Sequence, residues 1–288
     1  VKPDEGERIK FLFLYTPIAK IQNFNRLASM ALITFTSDFG LGDFYVPAVK
    51  AKILAVNPQL TIVDITHQVV PYDLAHAAFV LKSVYKEFPK GTVHLLAMNS
   101  TSANTDGYVG IKLDDHLFLG PNNGVLSLLS DFDPGIIVRF SELHVRASTF
   151  PVKDVLAPIA AKVASGMDLH DFGSPLPQLK KMIPRQFKAS KKQIIGHVIR
   201  VDNYGNLITN ITREVFEKLN PGKFTLEFGR ESLQTLHQTY DNVDAGDCFA
   251  FFNSIDLLEI GINQGHGADL LGLRHDSPIF IHFEVVAP

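Results

Sequence analysis

Four polar stretches hold the side chains that could do chemistry. In the first, Thr34-Phe35-Thr36-Ser37-Asp38-Phe39-Gly40-Leu41-Gly42-Asp43, an apolar run ends in a glycine-bearing turn and presents the carboxylate of Asp38. The segment after it reads as a helix, which puts Asp38 at the mouth of a strand-to-helix crossover, where open α/β sheets bind ligands. A carboxylate there can grip a sugar diol or a cationic ligand; it can equally cap the following helix. The second stretch, Asn99-Ser100-Thr101-Ser102-Ala103-Asn104-Thr105-Asp106-Gly107, follows another apolar run and is too long for a tight turn. Loops of this kind at strand ends tend to carry function. The third and fourth, Asp202-Asn203-Tyr204-Gly205-Asn206 and Asn253-Ser254-Ile255-Asp256, are dense in amides and carboxylates. Hairpin turn chemistry is the favoured reading of both, and a polar ligand site is the alternative.

These stretches need elements to position them. Asp43 is placed to cap a helix with Val46, Val49, Ile53 and Val56 at helical spacing, stopped by Asn57-Pro58. Thr61 to Ile65 reads as a strand covered on both faces, and a helix follows from about Asp73 to Phe88. Thr92 to Met98 is a further buried strand. Strand, helix, strand, helix, strand predicts an α/β domain with a mainly parallel central sheet. A hairpin over Asp114-Asp115, a strand at Ile136 to Phe140 and a helix from about Lys153 to Ala164 complete it, over residues 30–171. Residues 172–192 bring Pro175, Pro177 and Pro184 among lysines and arginines, the composition of a linker. From 193 to 288 the pattern is mostly strands, which predicts a smaller, mainly-β barrel or sandwich domain.

Composition narrows the partners. With 46% hydrophobic residues, 20% charged residues and a formal net charge of -3, the chain has the balance of a soluble globular protein and no basic footprint for nucleic acid. No apolar run reaches the ~20 residues that span a bilayer, and neither a membrane surface nor a nucleic acid is expected as a partner. The single cysteine, Cys248, sits among Phe249, Ala250 and Phe251 and reads as a core residue. Residues 1–29 show no sustained period and precede the first methionine, Met30; they read as an extension outside the fold of a cytoplasmic protein. Gly40-Leu41-Gly42 has Tyr45 where a dinucleotide fingerprint needs its third glycine, and His67, His76 and His94 lack metal-ligand spacing. No metal or cofactor is expected.

Seven short motifs then fall in one order: Thr36-Ser37-Asp38-Phe39-Gly40, Val63-Asp64-Ile65-Thr66-His67, Gly91-Thr92-Val93-His94, Gly120-Pro121-Asn122-Asn123-Gly124, Ser148-Thr149-Phe150, Tyr204-Gly205-Asn206 and Asn253-Ser254. Together they resemble the S-adenosylmethionine hydroxide adenosyltransferase family, the adenosine-forming S-adenosylmethionine hydrolases related to the fluorinase and chlorinase. The resemblance covers roughly Met30 to Val286. It implies an α/β domain followed by a β-rich one, a homotrimer with nucleoside sites between subunits, and attack of water at the 5′ carbon of S-adenosylmethionine to give adenosine and methionine. It further implies that Asp38 holds the ribose hydroxyls, Phe150 walls the reacting carbon, Asp202, Asn206 and Ser254 beside Asn253 hold the methionine part, and adenine lies against Asn263 to Gly267. The water-activating triad of the hydrolases, aspartate, arginine and histidine, maps onto Asn99, Asp106 and Pro151. None of these can act in the family's manner: an amide is no general base, and proline has no side-chain donor or acceptor. The halide-binding positions of the halogenases fall on Asn99, Ser102 and Val152, of which Ser102 is the one sensible match. Two functions follow: S-adenosylmethionine or adenosine binding with the inherited hydrolysis, or a catalytically inactive nucleoside-binding or sensing protein.

Overall fold

The computed structural model describes residues 31–100, 106–141, 148–219 and 222–284. The expected extension at 1–29 and the candidate Ser102 lie outside the described residues.

The opening apolar run forms β1 (Leu32–Ser37), followed by α1 (Tyr45–Val56), β2 (Thr61–Thr66), α2 (Leu74–Val84) and β3 (Val93–Ala97). The hairpin β4 (Tyr108–Leu113) and β5 (His116–Pro121) comes next, then β6 (Ile136–Phe140), a π-helical turn at Val152–Leu156 running into α3 (Ala157–Ala164), and β7 (Gly173–Pro175). The sheet order is β2-β1-β3-β5-β4-β6-β7. Neighbours from β2 to β5 are parallel, and from β5 to β7 each pair is antiparallel. The stretch read as a linker therefore begins as the sheet's last strand.

Both faces of β1 are buried, which is why the run shows no polar alternation. Ile33, Phe35 and Leu95 pack under Val46, Val49 and Ile53 of α1 and Ile159 and Val163 of α3. On the other face, Ala77, Ala78 and Leu81 of α2 cover Leu96, Met98 and Phe118. β2 lies at the sheet edge and is half-exposed, unlike the doubly covered strand its sequence suggests; an edge strand has one face and one ladder less to bury. From β1 the chain leaves toward β2, and from β3 it leaves the opposite way toward β4 and β5. The carboxyl ends of these two adjacent strands thus flank a topological switch point, and the pairing of Ser37 with Ala97 sets Asp38 beside the turn at Asn99.

The second domain comprises β8 (Lys188–Ala189), β9 (Gln193–Val201), β10 (Leu207–Thr212), α4 (Arg213–Leu219), β11 (Phe224–Phe228), β12 (Glu231–Leu233), β13 (Cys248–Phe252), β14 (Leu257–Ile262), α5 (Gly267–Leu271) and β15 (Pro278–Phe283). Its antiparallel sheet, ordered β12-β11-β15-β9-β10-β14-β13 with β8 on β9, curls into a nearly closed barrel or sandwich. Alternate residues, among them Val198, Leu207, Leu226, Ala250, Leu258, Ile260 and Ile281, fill its interior. Thr212 caps α4 by accepting the Val215 N–H at 3.3 Å. Cys248 is half-buried rather than core, on the edge strand β13, and burial pushes its thiol pKa up. Among the described residues no helix is long and apolar enough to cross a membrane.

Candidate functional site

Asp38 follows the last residue of β1 and is half-buried. It does not cap the next helix: the N-cap of α1 is Phe44, with no side-chain capping bond, so neither Asp38 nor Asp43 does that work. Instead Asp38 Oδ2 accepts the Tyr72 backbone N–H at 3.1 Å, across from the β2–α2 connection. Tyr72 holds φ at +67°, a left-handed conformation uncommon for a bulky residue. Asp38 Oδ1 has no hydrogen-bond partner among the described residues, which leaves a carboxylate oxygen open at the switch point.

A buried chain of polar groups fixes this turn from beneath. Ser37 Oγ lies 2.7 Å from His67 Nδ1, and the Phe39 N–H donates to Ser37 Oγ at 3.4 Å. The Gly40 N–H donates to the His67 carbonyl at 2.7 Å, with Gly40 at φ +71° where a side chain would be strained. His67 Nε2 stands 3.1 Å from Asp64 Oδ1, and Lys50 pairs with the same carboxylate. Burial lowers the His67 pKa, against the raising effect of Asp64, so the ring is neutral at pH 7 and Nδ1 accepts from the serine hydroxyl. For Asp64, burial pushes the pKa up, but the hydrogen bonds and charges of Lys50 and His67 outweigh it and the net shift is downward. Ser37 and His67 are both fully enclosed, so this serine–histidine–aspartate series is scaffold and not a nucleophile.

Phe150 forms the wall beside Asp38. Its ring meets Phe39 at 5.6 Å and Tyr45 at 5.4 Å between centroids, both edge-on, with Lys153 Nζ 5.8 Å from the ring centre. Pro151 is buried at the head of the π-helical turn and does structural work: its fixed φ starts a helix whose first donors bond the Phe150 carbonyl. Lys153 pairs with Asp154 at 3.2 Å, and Asp154 also takes the Ser148 hydroxyl, the main cause of its lowered pKa. Asn99 lies in the bend two residues past β3 at φ +45°, where Asn123 Nδ2 clamps the Met98 carbonyl at 2.9 Å. Asp106 is exposed and bonded to Arg139 at 2.8 Å. The structure thus gives Asp106 and Pro151 local partners and structural duties.

In the second domain Asp202 closes its own turn. Oδ1 accepts the Tyr204 and Asn206 N–H groups, each at 2.8 Å, and Oδ2 accepts Asn206 Nδ2 at 3.2 Å. Asn253 works similarly: Oδ1 accepts from Ile255 and Leu257, and Nδ2 donates to Glu259 at 3.0 Å. Two cavities open around these turns. One of about 550 Å³ is lined by Tyr204, Asn206, Tyr240, Phe249, Asn263 and Gln264, an aromatic slot with amides at its rim. The other, a groove of about 820 Å³, runs between Phe79 and Val80 of α2 and the edge formed by Asn253, Ser254 and Glu259. Tyr240 lines both. The structure therefore groups Asp38, Asn99 and Phe150 at one place and Asp202, Asn206, Asn253 and Ser254 at another; among the described residues no hydrogen bond, ion pair or ring contact joins the two sets.

Sequence reading missed Ser37–His67, Tyr45, Tyr240 and Glu259. Glu259 had a visible signal, one charge inside the apolar run Leu257–Ile262. The other residues are linked only by strand register and folding, which leave no local trace. No group of three or more metal-binding side chains occurs among the described residues.

Residues 33–173 match the profile described as SAM hydroxide adenosyltransferase N-terminal domain, and residues 196–280 match that of the C-terminal domain. The chain belongs to this family. Among SAM hydroxide adenosyltransferase relatives, the (R)-S-adenosyl-L-methionine hydrolase of Thermus thermophilus is 30% identical over 87% of this chain and 99% of its own length. A fluorinase of Nocardia brasiliensis is 26% identical over 66% of this chain and 74% of its own. The crystal structure of an uncharacterized conserved protein from Thermotoga maritima superposes with a TM-score of 0.79 at 30% identity, covering 87% of this chain and 99% of that one. Asp38 and Phe150 fall inside the matched N-terminal part of the family, and Asp202, Asn206, Asn253 and Ser254 inside the C-terminal part.

Proposed function

We propose that this chain binds S-adenosylmethionine or adenosine, with Asp38 on the ribose hydroxyls and Phe150 beside the 5′ carbon. The open Oδ1 of Asp38, held at the switch point by a buried scaffold, carries this reading. A carboxylate oxygen with no internal partner suits a vicinal diol, which donates two hydrogen bonds. The slot of Tyr204, Asn206, Tyr240 and Phe249 suits a flat base with amide acceptors and donors at its edge. Assembly as a homotrimer would bring the Asp38 set of one subunit to the base slot of another. It would also cover Leu41, Phe44 and Tyr72, large apolar side chains left exposed around Asp38.

The inherited reaction is displacement at the 5′ carbon. A water oxygen forms the new C–O bond, the C–S bond breaks with its electron pair passing to sulfur, and the water loses a proton, leaving adenosine and methionine. The protein supplies alignment and a dry wall. A second reading, nucleoside binding without turnover, is favoured by Asn99, Asp106 and Pro151 at the positions of the water-activating groups. Incubation with S-adenosylmethionine followed by chromatography, alongside calorimetric titration with adenosine, separates the two. Adenosine and methionine in equal amounts above a no-enzyme control support hydrolysis, and binding without product supports the second reading. Absence of binding to either ligand discards both.

A further inference from the structure

The connection between β2 and α2, which lends Asp38 the Tyr72 N–H, is held in turn by one side chain. The Val70 carbonyl accepts the Asp73 N–H at 3.0 Å and closes a four-residue turn with Pro71 second and Tyr72 third. A turn with φ +67° at its third residue favours glycine there, so a tyrosine keeps that conformation only where its surroundings hold it. His76, in the first turn of α2, does the holding. Its backbone N–H donates to Asp73 Oδ1 at 2.9 Å, and its ring Nδ1 accepts the Val70 N–H at 3.1 Å. The ring is 8% exposed, and Nδ1 also lies 3.5 Å from Nη1 of Arg200, on β9 of the second domain.

An imidazole accepts at Nδ1 only while it is neutral, with its proton on Nε2. Protonation would set a second N–H against the Val70 N–H and a cation against the Arg200 guanidinium. Burial lowers the His76 pKa, Arg200 lowers it further and Asp73 opposes them, so the ring is an acceptor at pH 7. Asp73 from its own helix and Arg200 from β9 are the charged groups that act on it. The other histidine of the connection, His67, has separate partners in Ser37, Asp64 and Lys50. We propose that His76 is a positioning residue for Asp38: it fixes the Val70–Asp73 turn, the turn presents the Tyr72 N–H, and that donor takes Oδ2 so that Oδ1 stays open for a ligand. This rests on the nucleoside-binding function proposed above. The chain of contacts runs from Arg200 in the second domain through His76 and the turn to the carboxylate.

Calorimetric titration of the full chain with adenosine tests this, with His76→Asn and His76→Phe as variants. Asparagine sets an amide oxygen where Nδ1 stands and cannot be protonated; phenylalanine fills the space without an acceptor. At pH 7.5 His76→Phe is expected to bind adenosine at least fivefold more weakly, and His76→Asn to stay within twofold of the wild type. Between pH 7.5 and 5 the wild-type affinity should fall at least threefold while that of His76→Asn stays level, and Arg200→Gln should move the fall to higher pH. In an Asp38→Ala background His76→Phe should change affinity by less than twofold, because its effect passes through the carboxylate. A residue that serves only the packing of α2 would weaken binding in that background as well, and would leave wild type and His76→Asn with the same pH profile; either result overturns the proposal. If His76→Phe does not fold, the two pH profiles decide alone. Wild-type binding of adenosine with matching profiles refutes this inference and leaves the proposed function standing, whereas wild-type binding of no nucleoside removes both.

Discussion

Asp38 and Asp202 both sit in turns at strand ends, yet they spend their oxygens differently. Asp202 accepts three hydrogen bonds from within four residues of itself, so its charge is used in closing a loop. Asp38 accepts one, from a residue 34 positions away, and the rest of its support comes through Ser37 and His67 beneath it. A carboxylate engaged by its own turn builds that turn; an open one on a rigid base has an oxygen to spare. The two domains extend the contrast. The N-terminal sheet holds its site with buried histidines, and the C-terminal sheet holds its own with an aromatic cluster in which Tyr240 meets Phe249 and Phe251 edge-on at 5.2 and 4.8 Å.

Acid should break this contrast most strongly. His94 is fully buried, with Nδ1 2.7 Å from Thr34 Oγ1 and Nε2 3.1 Å from His116 Nδ1, and burial, then His116, depress its pKa to about 3. The unfolded chain takes up this proton near the ordinary value of about 6.5, and the native sheet does not. The stabilisation from a neutral His94 is therefore complete above pH ~6.5 and is lost progressively as pH falls toward 3, at up to ~1.4 kcal/mol per pH unit. His67, His76 and His116 shift in the same direction, against His197 as the counterpart in the second domain. Hydrogen exchange followed by mass spectrometry between pH 7 and 4.5 should show β3 peptides opening before β14 peptides. His94→Phe should flatten the pH dependence of urea unfolding. Simultaneous opening of both sheets would erase the contrast.

Next in size is the turn that Asp202 closes. Gly205 has φ +85°, and a Cβ there would stand 2.5 Å from the His266 ring. Gly205→Ala combines a left-handed backbone penalty with overpacking and should cost about 2–4 kcal/mol. Asp202→Ala strips the acceptor from the Tyr204 and Asn206 amides and should cost about 2–3 kcal/mol. Both are read as falls in the urea midpoint at unchanged slope. A stable Asp202→Ala protein that has lost nucleoside affinity would instead make Asp202 a ligand group like Asp38.

How legible these features were follows from the range of the interactions. The run Leu32–Ser37 and the turn after it are local, so Asp38 at a strand end was readable. The start of α1 was not: the bends at 41–44 carry the chain past Asp43, and the helix begins at Tyr45 without the cap that the residue type advertises. The turn chemistry of Asp202 was visible in composition, and hydrogen bonds within five residues bear it out. What stayed hidden was long-range. His67 reaches Ser37 through the neighbouring strand β2, and Tyr240 reaches Glu259 across 19 residues. A charge inside an apolar strand was visible, but what it faces depends on which face of the sheet packs against α2.

The smallest effect on stability separates the two carboxylates most sharply. Asp38→Ala removes a single accepted bond, from an exposed backbone amide that water can satisfy, so the urea midpoint should shift by under ~0.5 kcal/mol. The same change removes the open oxygen proposed to take the ribose hydroxyls, and adenosine affinity should fall by about 1–3 kcal/mol, roughly 5- to 150-fold. Asp38→Asn is the finer probe. It keeps one acceptor for the Tyr72 N–H while halving the acceptor capacity and removing the charge, so stability should be unchanged and affinity intermediate. If both variants bind adenosine like the wild type, Asp38 serves only to tie Tyr72 to the end of β1, and the two carboxylates differ in the span of chain they close and not in kind.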